Sequence, residues 1–343
     1  MSRRRRLLVL AEGRSGDPHF GKTARGVMRY RPDDIVALLD STSDDTTVEG
    51  FPVVKTVTDA LPLGATTALV GVATQGGRFP PTWRRLLVDC LEAGLDLESG
   101  LHEFVTDDPE LVALAAEHGA ELRDLRRPPA DLDVPSGANL THGATTILTV
   151  GSDCAIGKMT VSLELDREAQ RQGYRSQFVP TGQTGIAIAG WGISVDAVIA
   201  DFIAGAAERL VVEGAERGGE VLFVEGQGSL LHPAYSGVTL GLMHGSAPHG
   251  YVLCHQAGEA VVDDDERFPI PPLADLVRLH EQISLLPRPA KVYAIALNTR
   301  LLDDDAARRA IVETEAATGL PADDPVRFGA RKLVGSLTPL LQS

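Results

Sequence analysis

Short apolar runs separated by longer amphipathic stretches extend along the whole of this 343-residue chain. In the first part, residues 7–11, 35–39 and 68–72 are continuous apolar segments of strand length, and 83–93 and 109–118 repeat apolar residues at helical spacing. The second part alternates more strongly. It predicts strands at 146–150, 175–180, 220–225, 250–255 and 291–297, and helices at 159–172, 195–216, 272–285 and 304–318. In the helix expected over 195–216, Val195, Val198, Ile199, Phe202, Ile203, Ala206 and Leu210 form one apolar face. Apolar strands without polar alternation, each followed by a helix, imply parallel sheets covered on both faces. The expected fold class is therefore α/β. The segment 127–139 is rich in Pro, Gly and Asp and reads as a connection. It divides the chain into two α/β domains, over 1–135 and over 136–343.

The strand–helix junction in the middle of the chain carries the clearest chemistry. Gly151, Ser152, Asp153, Cys154, Ala155, Ile156, Gly157, Lys158, Met159 and Thr160 follow one predicted strand and open the next helix. Glycines there let backbone N–H groups approach an anion, the helix N-terminus adds its partial positive charge, and Lys158 supplies a mobile cation. This is the arrangement of a phosphate-binding loop. Five residues separate its glycines where four are usual, and Met159 stands where a Mg²⁺-binding Ser or Thr is expected. A second stretch, Gly16 to Thr23, fits the phosphate-loop spacing letter for letter. Only residues 24–30 separate it from Arg31-Pro32, and Pro18 removes one donor. A surface turn or an inter-domain contact is expected there instead. No GxGxxG follows the first strand, so the dinucleotide fingerprint is absent.

Other strand ends add polar groups to the same rim. Glu225, in Val224-Glu225-Gly226-Gln227-Gly228-Ser229, follows a predicted buried strand and is a candidate base or metal ligand. His232, seven residues on, and His244, in a glycine-rich stretch with His249, are the other candidate catalytic groups. Thr181, Gln183 and Thr184, in the loop after the strand at 175–180, and Ser229 have side chains that suit hydrogen bonds to a carboxylate or amide substrate. Asn298 ends the last predicted strand and is placed either to read an adenine edge or to cap the helix that follows.

The totals narrow the partners. A net charge of −15 argues against a nucleic-acid partner, which would require a basic face to neutralise phosphates. Arg3 to Arg6 precede an apolar run too short for a signal peptide's core, and no run approaches a membrane span. Three scattered cysteines, with no CxxC, fit a reducing cytoplasm and give no metal site by spacing. The expectation is a cytoplasmic homo-oligomer acting on a small molecule, with no membrane partner.

The loop at 151–158 and Val224-Glu225-Gly226-Gln227-Gly228 resemble the stretched phosphate loop and glutamate-bearing strand end of dethiobiotin synthetase. That resemblance implies a Mg²⁺ contact for Glu225 and an adenine contact for Asn298. A wider set of segments, at 21–30, 100–104, 151–160, 180–185, 195–208 and 225–233, is similar to a bacterial family long catalogued as a domain of unknown function. Its characterised branch is D-glutamate N-acetyltransferase. The resemblance implies a Rossmann-like domain, a phosphate-loop domain and acetyl-CoA-dependent N-acetylation of glutamate, with the D-enantiomer favoured, or of a similar acidic amino acid. The loop then holds the phosphates of acetyl-CoA, Glu225 or a nearby His takes the amine proton, and Thr181, Gln183 or Ser229 positions the substrate. Two other readings stand beside it: an ATP- and Mg²⁺-dependent ligase or kinase using Glu225 and Thr160, and a nucleotide-sensing regulator without chemistry.

Overall fold

The first apolar run becomes β1 (Leu7–Leu10), buried along its whole length. With no polar side chain it can be covered on both faces, and it pairs along both edges. The structure, a computed structural model, describes residues 5–15, 21–72 and 75–342. Beside β1 lie β2 (Ile35–Leu39), β3 (Thr47–Val48), β4 (Phe51–Val54), β5 (Thr67–Val70), β6 (Asp96–Ser99) and β7 (Leu122–Asp124). Among the described residues these seven form one sheet, ordered β3-β4-β2-β1-β5-β6-β7. Every pair is parallel except β3–β4. The order reverses direction between β1 and β5, the switch point of a doubly wound sheet. The helix Pro109–His118 starts where the sequence expects it, because Asp108 accepts from the backbone N–H groups of Glu110 and Leu111 and Pro109 occupies the first turn.

The second sheet is built from β8 (Thr145–Gly151), β9 (Ser176–Val179), β10 (Val221–Val224), β11 (Gly250–Gln256), β14 (Lys291–Asn298) and β15 (Ala322–Asp323). Between β11 and β14 lies the small hairpin of β12 (Val261–Val262) and β13 (Asp265–Pro269). The sheet runs β15-β14-β11-β8-β10-β9, all parallel. The central position of β8 places the loop that follows it between the carboxyl ends of β10 and β11. Beneath that loop, Ile147, Val161, Leu165, Phe223, Val252 and Ala294 pack into one buried cluster.

The chain divides into two compact units, residues 1–127 with 183–194, and 128–182 with 195–343. Residues 183–194 join the first unit because their polar side chains and carbonyls are bonded within it. Thr184 Oγ1 lies 2.9 Å from Thr23 Oγ1, Arg126 donates to Gln183 Oε1 at 3.1 Å, and Arg5 donates to the Ala187 carbonyl at 2.7 Å. The helix expected over 195–216 is shorter: it runs Ile203–Glu216, preceded by 3₁₀ turns at Val195–Ala197 and Ala200–Phe202. Val195 is pinned by its N–H to the Thr181 carbonyl, and Ile199 is extended and 70% exposed, so the apolar run covers an irregular approach and does not form a single helical face. Of the second Lys-bearing loop, residues 16–20 lie outside the described residues, and Lys22 opens the nine-residue helix Lys22–Tyr30.

Candidate functional site

The phosphate-type loop joins β8 to the fourteen-residue helix Lys158–Arg171, which carries no acidic residue in its first turn. Gly157 caps that helix at φ 112°, a left-handed value that a side chain would strain. Ala155 also sits left-handed, at φ 53°, where a non-glycine residue costs about 1–3 kcal/mol and persists only if its surroundings impose it. Lys158 is buried and turns its ammonium back over the loop to the Asp153 carbonyl, 2.6 Å away. Met159 and Thr160 are half-buried in the first turn.

The base of the loop is cross-braced to β10. Thr149 Oγ1 accepts from the Gly226 N–H at 2.9 Å and lies 2.9 Å from Ser162 Oγ on the loop's helix. Gly226 must be glycine for this approach, since a Cβ there would stand 1.9 Å from the Thr149 carbonyl oxygen. Ser152 donates its N–H to the Cys254 carbonyl and lies 2.9 Å by its Oγ from His255 Nδ1, tying the loop to the end of β11. Burial pushes the His255 imidazole down to about 4, so it is neutral at pH 7.

Glu225 lies at the end of β10 and is buried. Its Oε2 accepts from the N–H groups of Thr181 (2.9 Å) and Gly182 (3.2 Å), and its Oε1 from Gln227 Nε2 (3.2 Å). Thr181 Oγ1 in turn donates to the Glu225 carbonyl at 2.7 Å. Glu225 and Thr181 are therefore brought together as the sequence suggests, with the carboxylate acting as an anchor for the loop after β9. Ser229, expected to touch substrate, donates to the Ser152 carbonyl at 2.9 Å and braces the phosphate-type loop. Asn298 does the same from β14, donating to the Ile156 carbonyl at 3.0 Å. Gln183 and Thr184 bond within the first unit, to Arg126 and Thr23.

The two candidate histidines have different surroundings. His244 places Nε2 against the Ile283 carbonyl at 2.9 Å, and the residue's own carbonyl accepts from Asn139. His232 is buried close to the loop: one side-chain atom each from Asp153, Cys154 and His232 lie within 4.8 Å of one another. That grouping joins residues far apart along the chain, so spacing could not show it. His232 Nδ1 accepts the Ala234 N–H at 3.1 Å, which leaves the proton of the neutral ring on Nε2. Its Nε2 lies 3.7 Å from Asp263 Oδ2. The Asp153 carboxylate accepts from the Cys154 and Asp263 N–H groups, each at 2.6 Å.

Sequence reasoning missed Glu259. It lies just beyond β11, and its Oε2 is buried without a hydrogen-bond partner. Burial, with Asp153 and Asp264 nearby, pushes its carboxyl up to about 7, against the opposing pull of Lys158 and Arg300. The available signal was Gly258-Glu259 just beyond a strand end on the phosphate-loop rim.

Among the described residues, no helix is long and apolar enough to cross a membrane. The chain matches two family models. One is described as a domain of unknown function (DUF1611_C), a P-loop domain, over residues 133–334; the other is its DUF1611_N Rossmann-like partner, over 39–128. Two curated relatives are named D-glutamate N-acetyltransferase. One, from Tritonibacter scottomollicae, is 37% identical over 96% of this chain and 97% of its own, and one from a Pseudoalteromonas species is 35% identical over 82% and 84%. The crystal structure of a DUF1611 family protein from Anabaena variabilis superposes with a TM-score of 0.89 at 40% identity, covering 98% of this chain and 99% of that one. The chain therefore belongs to the DUF1611 family, the family of the D-glutamate N-acetyltransferases, with a Rossmann-like N-terminal domain and a P-loop C-terminal domain.

Proposed function

We propose that this protein transfers the acetyl group of acetyl-CoA to the amine of glutamate, the D-enantiomer first, or of a similar acidic amino acid. What supports the reading most is the loop itself, a phosphate-type loop whose lysine is followed by Met159 and not by a hydroxyl, in a chain whose curated relatives are D-glutamate N-acetyltransferases. Such a loop suits a ligand whose phosphates are held and not cleaved. The residues present fit such a ligand, since the N-terminal amides of Lys158–Arg171 and the Lys158 ammonium would hold coenzyme A phosphates. Bound acetyl-CoA supplies the activated thioester. The chain's own groups hold it, orient the amine and accept its proton.

The deciding experiment incubates the protein with acetyl-CoA and D-glutamate and follows free thiol colorimetrically, with L-glutamate and D-aspartate as parallel substrates. Turnover should be fastest with D-glutamate, need no ATP and survive EDTA. Product that forms only with ATP and Mg²⁺, with no thiol released, would reject the reading in favour of ligation.

A further inference from the structure

We propose that the first unit carries a ligand site of its own, a cavity at the carboxyl end of its sheet that takes a small carboxylate with an aliphatic stem. The proposal goes beyond the acetyltransferase reading and does not depend on it.

The cavity measures about 430 Å³, within the usual span of small-molecule sites. Its place follows from strand order. The sheet reverses direction between β1 and β5, and open α/β sheets bind ligands beyond the carboxyl ends of their strands at such a switch point. Val70 ends β5 and Val72 lies just beyond it, Leu101 and His102 follow β6, and Thr23 stands in the first turn of the helix that follows β1. Gln183 adds a wall from the segment 183–194, which belongs to this unit. Glycines make room for the polar side chains. A Cβ on Gly77 would stand 2.1 Å from His102 Cδ2, and one on Gly100 would stand 3.0 Å from Gln183 Cγ.

The lining selects the ligand. Val70, Val72 and Leu101 are buried and give the cavity an apolar floor. Arg126 donates to Gln183 Oε1 at 3.1 Å. A guanidinium only donates, so it fixes which end of the amide faces it and leaves the Nε2–H groups for another acceptor. Those groups have no acceptor among the described residues. Thr23 Oγ1, 2.9 Å from Thr184 Oγ1, adds a hydroxyl. Among the described residues, no acidic side chain lines the cavity, and the helix that holds Thr23 has none in its first turn. Donors above an apolar floor, with no carboxylate to repel it, suit a carboxylate on an aliphatic stem. A dinucleotide is the common occupant of a switch point of this kind, held by an acidic residue on its ribose. Asp40, just past β2, is committed elsewhere: its carboxylate accepts from the backbone N–H groups of Gly13, Ser15, Thr42 and Ser43.

The test titrates the full-length protein with glutarate, and in parallel with its neutral diamide glutaramide, while following backbone amide resonances. Those of Gly76, Gly77 and Gly100, which line the cavity, should shift with glutarate and stay in place with glutaramide. Gln183→Glu keeps the side chain's size and an acceptor for Arg126 but removes the donor. It should weaken glutarate binding roughly 10-fold or more, read by calorimetry. Lys158→Ala, on the phosphate-type loop of the second unit, should leave glutarate affinity unchanged. The wild-type resonances decide the matter even where a variant fails to fold. Unmoved glycine resonances, equal binding of glutaramide, or glutarate affinity kept by Gln183→Glu and lost by Lys158→Ala would each overturn the proposal. None of these readouts uses thiol release, so failure of the acetyltransferase reading is seen separately.

Discussion

The Lys158 ammonium folds back to the Asp153 carbonyl of its own loop, 2.6 Å away, so the cation and the loop backbone form one closed unit at the head of a helix. The two residues stand five positions apart, and the turn at Ala155 and the left-handed cap at Gly157 bring them together.

From this follows the response of Lys158→Ala. Loss of one charge-assisted bond should weaken coenzyme A binding by about 1.5–3 kcal/mol, or roughly 10- to 150-fold, measured by calorimetry. Lys22→Ala should change affinity much less, although Lys22 also follows a glycine-bounded stretch. If Lys22→Ala abolishes binding and Lys158→Ala spares it, the phosphate site is on the other loop.

Glu225 should behave as an anchor. Glu225→Ala strips the acceptor from two buried backbone N–H groups, Thr181 and Gly182, and should cost at least about 1–3 kcal/mol of stability. Glu225→Gln keeps an acceptor and should cost less. Chemical denaturation measures both. Unchanged stability in both variants, together with a large loss of kcat, would assign Glu225 the role of base instead.

Glu259 has a stability signature opposite in sign. Its folded-state carboxyl is raised by burial above the ordinary value of 4.5, so the fold disfavours the charged form. Its stability contribution is whole below the unfolded-state value and is lost as pH rises through about 7. Glu259→Gln carries no charge to bury. Its melting temperature should match wild type at about pH 4 and exceed it at about pH 8, on either side of the two values. A variant that melts lower than wild type on the alkaline side would show that the charged carboxylate is a structural partner.

The three cysteines should separate by reactivity. Burial pushes the thiols of Cys90 and Cys254 up to about 12, whereas Cys154 is half-buried in the phosphate-type loop. Since the thiolate is the nucleophile, iodoacetamide at about pH 8 should label Cys154 first, and coenzyme A should protect it. Peptide mapping reads the order. Equal labelling of Cys154 with and without coenzyme A would remove that cysteine from the ligand's surroundings.

The amino-acid sequence by itself determined the parts of this protein whose cause is local. Fully apolar runs had only the interior of a parallel sheet to occupy, so β1, β2, β8 and β11 lie within a residue of where periodicity puts them. The Asp108–Pro109 start is legible because a capping carboxylate and a fixed φ act within one turn. The phosphate-type loop is legible for the same reason, since its glycines, lysine and helix are contiguous. Tertiary structure decided the rest. Residues 183–194 leave the unit their neighbours belong to because Thr184 and Gln183 find their partners in Thr23 and Arg126, 161 and 57 positions away. The irregular stretch around Ile199 reads as helix from its apolar spacing, yet the bond from Val195 to Thr181 holds it otherwise. Among the candidate acids, sequence offers Glu225 and passes over Glu259. Which carboxylate is satisfied and which is left without a donor depends on groups brought in from other strands and loops, and no spacing along a single chain records them.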